Sequence, residues 1–222
     1  MIHMLFRLYY ETVYVLRNAN NYLNTITYYV IVLLMFPVGL NFQSNTLYLV
    51  NIPIICVCLF LIILSSLDGL FTYEANKGHL FEYHFVQKRS IAAMVTIKML
   101  MKWLSITLCI SVGTCIGFVL FNIDLMIMPM ILMVLVPTIL VLITIGSIGS
   151  SLLVGYKQKG MLLSVIVAPF YIPVLILTVD TLNMCLQGVG LSNQNIILVS
   201  IVTVLVCASP VVCAYTLKMW SD

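Results

Sequence analysis

Few side chains in this sequence can do chemistry, and their spacing argues against most reactions. His79, Glu82 and His84 fall together in "TYEANKGHLFEYHFVQKRS" (Thr72–Ser90), a stretch with two acids, three bases and two histidines. Imidazole and carboxylate serve zinc hydrolysis when ordered as HExxH on one helix face, and that order is absent here. No nucleophile stands beside a base in the way hydrolysis or group transfer requires. "GYKQKG" (Gly155–Gly160) carries glycines and lysines without the GxxxxGK[ST] order that cradles phosphates, so ATP hydrolysis by that route is excluded. Cys56 and Cys58 would leave different sides of a helix and chelate poorly. Apart from Cys185, the seven cysteines lie in apolar runs, where a thiol behaves as a small hydrophobe.

The elements that must position these groups are membrane helices. Of 222 residues, 63% are hydrophobic and only 8% charged, with a mean hydropathy of +1.16. A soluble domain carries about 25% charge and about 45–50% apolar residues. The fold class is therefore an all-α integral membrane protein, one transmembrane domain over residues 1–222. At about 20 residues per crossing, the apolar runs predict six spans, near Asn24–Leu40, Tyr48–Phe71, Trp103–Phe121, Leu125–Leu153, Met161–Val179 and Ile196–Leu217. Pro129 and Pro137 favour a kink in the fourth. Residues 1–20 read as an amphipathic helix lying along the interface, with Leu5, Leu8, Thr12 and Val15 on one stripe and Arg7 and Glu11 on another. Asn18, Asn20, Asn21 and Asn24 are expected to break it before the first span.

Orientation follows from the cations. All ten Lys and Arg residues fall before span one, between spans two and three, between spans four and five, or after span six. The positive-inside rule then places both termini and the Thr72–Ser90 stretch in the cytoplasm. Within the hydrophobic depth only Asp68 is ionisable, with Lys98 and Lys102 flanking span three on the inside and Asp124 and Asp180 at outer ends. No chain of acids or histidines relays protons, and no arginine ladder senses voltage, which disfavours ion-coupled transport.

Small residues fill the gap left by polar ones. Gly113 and Gly117 form GxxxG, and Gly146 and Gly149 begin a second cluster. Both let backbones approach closely, either within the chain or along a seam with a neighbouring subunit. Residues 73–102 form the cytoplasmic region. Span two runs on, turns near Gly78, and offers a short helix with Leu80, Phe81, Tyr83, Phe85 and Val86. Such a mixture suits a plug for another protein's groove. The alternative is an interfacial helix resting on lipid headgroups.

The Glu74, Gly78, Leu80, Glu82 pattern after the second span resembles the coupling helix of type-2 ABC exporter permeases. "VPT" (Val136–Thr138), the Gly149–Gly155 run, "GYKQKGMLLSVIVAPFYIPVLI" (Gly155–Ile176) and "ASP" (Ala208–Pro210) resemble the heme exporter protein B family in particular. "FVQKRS" (Phe85–Ser90) departs from that family in being basic and proline-free. The resemblance implies a non-catalytic permease of cytochrome c maturation, in a bacterial inner membrane or alternatively a mitochondrial one. It implies a separate ATP-binding cassette subunit, a heme-handling membrane protein, a heme chaperone on the outer face, and two permease copies per complex. Glu74, Gly78, His79, Leu80, Phe81 and Glu82, with Lys157 and Lys159, would contact the ATPase. The chain itself is assigned no cofactor or metal; heme is the ligand handled. Rival readings are a permease for another amphipathic cargo and a non-transporting scaffold, and no nucleic acid partner is expected.

Overall fold

In the computed structural model, the residues described are 19–39, 44–67, 70–71, 91–121, 125–154, 159–186 and 193–219. They form six helices: α1 (Ala19–Gly39), α2 (Ser44–Leu67), α3 (Ile91–Leu120), α4 (Met128–Leu152), α5 (Lys159–Leu186) and α6 (Asn193–Met219). A 3-10 turn, Leu125–Ile127, leads into α4. Four of the six, α3 to α6, are long and apolar enough to cross a bilayer over their described residues, and α1 and α2 contain shorter apolar stretches. The protein is an all-α integral membrane protein.

The helices are apolar on every side, so position in the bundle decides which faces are buried. α4 is the central strut, packing on α2, α3, α5 and α6. In its most apolar stretch 61% of residues are buried within the bundle, against 11% for α6. α6 therefore leaves most of itself exposed on the outside of the bundle, including Val204, Val211 and Tyr215. α2 lies between α1 on one side and α4 and α5 on the other. Both Cys56 and Cys58 are consequently buried although they leave the helix on different sides.

The helix boundaries depart from the apolar runs in instructive ways. Asn20, Asn21 and Asn24 lie inside α1, so the helix of the first span begins earlier than the expected Asn24, at Ala19, while Asn18 lies outside the described residues. The helix propensity lost at an ordinary residue is at most about 0.7 kcal/mol, too little to end a helix whose backbone must be satisfied internally in lipid. α3 begins at Ile91, well before the expected start at Trp103, so Lys98 and Lys102 sit within the helix. Lys98 Nζ donates to the Leu70 carbonyl at 3.4 Å, just past the end of α2. Residues 91–102, expected in the cytoplasmic region, thus form the first turns of α3, and Met94, Val95 and Met99 are buried there against Phe71, Val154, Cys213 and Leu217. Pro129 falls in the first turn of α4, where no intrahelical donor is lost; only Pro137 is interior. α5 runs on to Leu186, beyond the expected end at Val179, which leaves Asp180 exposed within the helix.

Hydroxyl groups buried in this apolar setting bond to their own helix. Ser105 donates to Met101 O at 2.8 Å, Thr114 to Ile110 O at 2.9 Å and Thr144 to Val141 O at 2.7 Å. Back-bonding of this kind makes a polar side chain tolerable in lipid.

Candidate functional site

Two sets of residues were expected to carry function, the ATPase-facing loop and the small-residue seams. Glu74, Gly78, His79, Leu80, Phe81, Glu82 and Lys157 lie outside the described residues, as do Asp68 and residues 1–18. Lys159 opens α5. The glycines are all placed.

Gly113 on α3 receives the ring of Tyr29 from α1 so closely that a Cβ there would overlap Tyr29 Cδ1 and Cε1. Tyr29 is 1% exposed, and its hydroxyl finds no hydrogen-bond partner among the described residues. Gly117, one turn on, is different: a Cβ would stand 3.6 Å from Leu33 Cδ1, an ordinary contact. The GxxxG pair therefore faces α1 of the same chain, and only its first member is sterically obligatory. Gly117→Ala is expected to leave thermal stability in detergent within about 0.5 kcal/mol of the parent. Gly113→Ala, which must displace an aromatic ring from a packed core, is expected to cost about 1–3 kcal/mol. Equal melting temperatures for the two variants would contradict this asymmetry.

Gly146 and Gly149, on α4, face α5. At Gly149 a Cβ would lie 2.5 Å from Val167 Cγ2. At Gly146 it would overlap both Leu67 Cδ1 and the Tyr171 hydroxyl. The space left by the missing side chain lets Tyr171, wholly buried between Pro169 and Pro173, donate to the Leu142 carbonyl at 2.5 Å. Its ring meets Phe60 of α2 edge-on at 5.6 Å. One glycine thus admits a tyrosine that ties α5 to α4 and packs on α2.

Further polar ties radiate from α4. Thr138 and Thr178 share a hydrogen bond of 3.2 Å to α5. Thr216 of α6 donates to Ser151 at 2.8 Å, and Ser147 lies 3.7 Å from Cys213. Trp103 of α3 donates its indole N–H to the Val136 carbonyl at 3.1 Å, beside Pro137. In α6, Pro210 removes the amide that would bond to the Val206 carbonyl, and Ser209 Oγ turns back to that oxygen at 3.5 Å. The polar groups of these ties are spent inside the bundle, so they hold the neighbouring helices on α4. Tyr171 and Trp103 escaped notice in the sequence. The signal for Tyr171 was an amphipathic aromatic residue deep in an apolar run between two prolines, and for Trp103 an indole at the head of such a run, each with a polar tip that needs a carbonyl.

Gly113 and Gly117 lie toward the C-terminal end of α3, whereas the Gly146–Gly149 seam lies toward the opposite end of the bundle, where α4 and α6 finish and α3 and α5 begin. The described cations Lys98, Lys102, Lys159 and Lys218 belong to the α3, α5 and α6 segments nearest that end.

A family model described as CcmB protein matches residues 4–219, nearly the whole chain. "Heme exporter protein B" of Pseudomonas aeruginosa is 29% identical over 196 residues, covering 88% of this chain and 87% of that protein. The protein of the same name from Haemophilus influenzae is 27% identical over 207 residues, covering 93% of each. The one from Rhodobacter capsulatus is 25% identical over 197 residues, covering 87% of this chain and 88% of its own length. With a membrane-spanning helical bundle and an end-to-end family match, the chain belongs to the CcmB protein family.

Proposed function

We propose that this chain is the permease subunit of an ATP-driven exporter that supports heme export or delivery during cytochrome c biogenesis. The observation that carries the reading is the similarity along almost the full length to proteins named heme exporter protein B. The chain itself supplies no nucleotide site, so the energy enters from a separate ATP-binding subunit. The segment from Glu74 to Val86 is the docking element, with Lys157 and Lys159 as a smaller second contact. Glu74 and Glu82 would meet basic residues of the ATPase, Leu80 and Phe81 would fill its groove, and Gly78 would make the turn, in the manner of type-2 exporters. Two permease copies around two ATPases, a heme-handling membrane protein and an outer-face heme chaperone complete the assembly. The basic end of the bundle faces the cytoplasm of a bacterial cell, by the positive-inside rule.

The three histidines, His3, His79 and His84, all fall outside the six helices. That favours a cycle in which ATP hydrolysis releases a loaded chaperone, over one in which imidazole ligates heme during passage between helices. The test is complementation. Expression in bacteria lacking their own heme permease is expected to restore covalent heme attachment to c-type cytochromes, seen as heme-stained bands. Normal membrane insertion with no restoration would favour another amphipathic cargo. A partner ATPase indifferent to the chain's presence would favour a scaffold.

A further inference from the structure

We propose that a cleft between α3, α4 and α6 is a binding site for one hydrocarbon chain of a bilayer lipid. The cleft has a volume of about 100 Å³. Its floor is Met99, Ile143, Thr144 and Ser209, all buried. Its rim is formed by side chains open in part to the bundle surface, among them Leu100, 46% exposed, and Trp103.

Depth, chemistry and size each narrow the occupant. Leu140 lies midway between Met128 and Leu152, and Val206 midway between Asn193 and Met219, so the cleft opens sideways near the middle of two spans. The medium at that depth is acyl chain. The floor carries two hydroxyls, but neither is offered to a ligand. Thr144 Oγ1 donates to Val141 O, and Ser209 Oγ is directed to Val206 O and lies 3.9 Å from Met99 Sδ. What faces the cleft is therefore methyl, methylene and thioether surface, which gives a headgroup or a polar ring nothing to bond. A further helix, about 10 Å across with its side chains, cannot enter so small a space, whereas a single flexible chain can. A void left unfilled would forfeit the dispersion contacts of its lining. Pro210, which has no amide to offer the Val206 carbonyl, forms part of the cleft wall within α6.

Trp103 is a built-in reporter, because its indole N–H is tied to the Val136 carbonyl and the ring cannot swing freely. The sequence has two tryptophans, and Trp220→Phe leaves Trp103 as the sole emitter. This protein would be reconstituted in phosphatidylethanolamine–phosphatidylglycerol vesicles with rising fractions of lipid brominated near the middle of an acyl chain. The order of the quenching in brominated fraction counts the chain positions that touch the indole. Thr144→Leu, which fills the floor, is expected to remove one such position, and Val206→Phe at the half-exposed rim to do the same. Leu108→Phe, on the lipid-facing side of α3, should leave the count unchanged. If Thr144→Leu fails to give a monodisperse helical protein, Val206→Phe decides the matter alone. An unchanged count in a well-folded cleft-filling variant would overturn the proposal, as would stronger quenching by bromines placed beside the headgroup than by those at mid-chain.

Discussion

Gly146→Ala is expected to lower the melting temperature of the detergent-solubilised protein by about 4–8 °C, at about 2–4 °C per kcal/mol for a chain of this size. The added methyl would overlap Leu67 Cδ1 and the Tyr171 hydroxyl. Overpacking of this kind costs about 1–3 kcal/mol. Displacing Tyr171 also breaks its bond to Leu142 O and disturbs the edge contact with Phe60. Such a hydrogen bond is worth about 0.6 kcal/mol in a membrane protein, and an aromatic pair about 0.5–1.5 kcal/mol. Against this stands a gain of up to about 1 kcal/mol in helix propensity from replacing glycine. The net is a loss of about 2 kcal/mol, dominated by steric overlap. Tyr171→Phe separates the terms, since it removes the hydrogen bond and leaves the space. Its cost should be close to the hydrogen bond alone, about 0.6 kcal/mol. A Tyr171→Phe variant as unstable as Gly146→Ala would show that the hydroxyl, and not the space for it, holds α5 on α4.

The contrast between these residues explains how much was legible in the sequence. Helical class and the six helices of the described residues follow from apolar run length, because lipid forces each backbone to satisfy its own hydrogen bonds. Helix ends do not follow from it. Lys98 and Lys102 interrupt an apolar run without interrupting α3, since Lys98 reaches the carbonyl of Leu70 with its ammonium and buries its stem on the way. Asn20 and Asn21 look like breakers in one dimension and are helical in three. The glycines were identifiable as close-approach points, but the neighbour was not. Gly113 and Gly117 share a motif and a helix face, and yet one meets an aromatic ring and the other the end of a leucine. That difference depends on what α1 presents. The cleft was invisible for the same reason, being a gap between three helices distant in the chain.

On the docking proposed above, Glu82→Lys is expected to cut co-purification of an ATP-binding subunit by tenfold or more while leaving the permease in the membrane. Glu82 belongs to the hydrophilic stretch between the second and third apolar runs, so reversing its charge leaves both runs unchanged. If it meets a basic residue of the ATPase, the substitution does more than remove an attraction; it sets two cations against each other. Close charge pairs across an interface couple by about 1.5–7 kcal/mol, and each 1.4 kcal/mol is about a tenfold change in affinity. Salt sets how much of this is expressed. A pair exposed at the rim is screened beyond about 8 Å at physiological ionic strength, so the defect should shrink as salt rises, whereas a desolvated pair should stay broken. Phe81→Ala gives an independent reading of the same contact, because truncating a buried anchor costs about 2 kcal/mol or more and is insensitive to salt. A matching reversal of the opposing basic residue on the ATPase should restore co-purification to Glu82→Lys and do nothing for Phe81→Ala. Full recovery of the ATPase with both single variants would remove the Glu74–Val86 segment from the interface and move the coupling contact to Lys157 and Lys159.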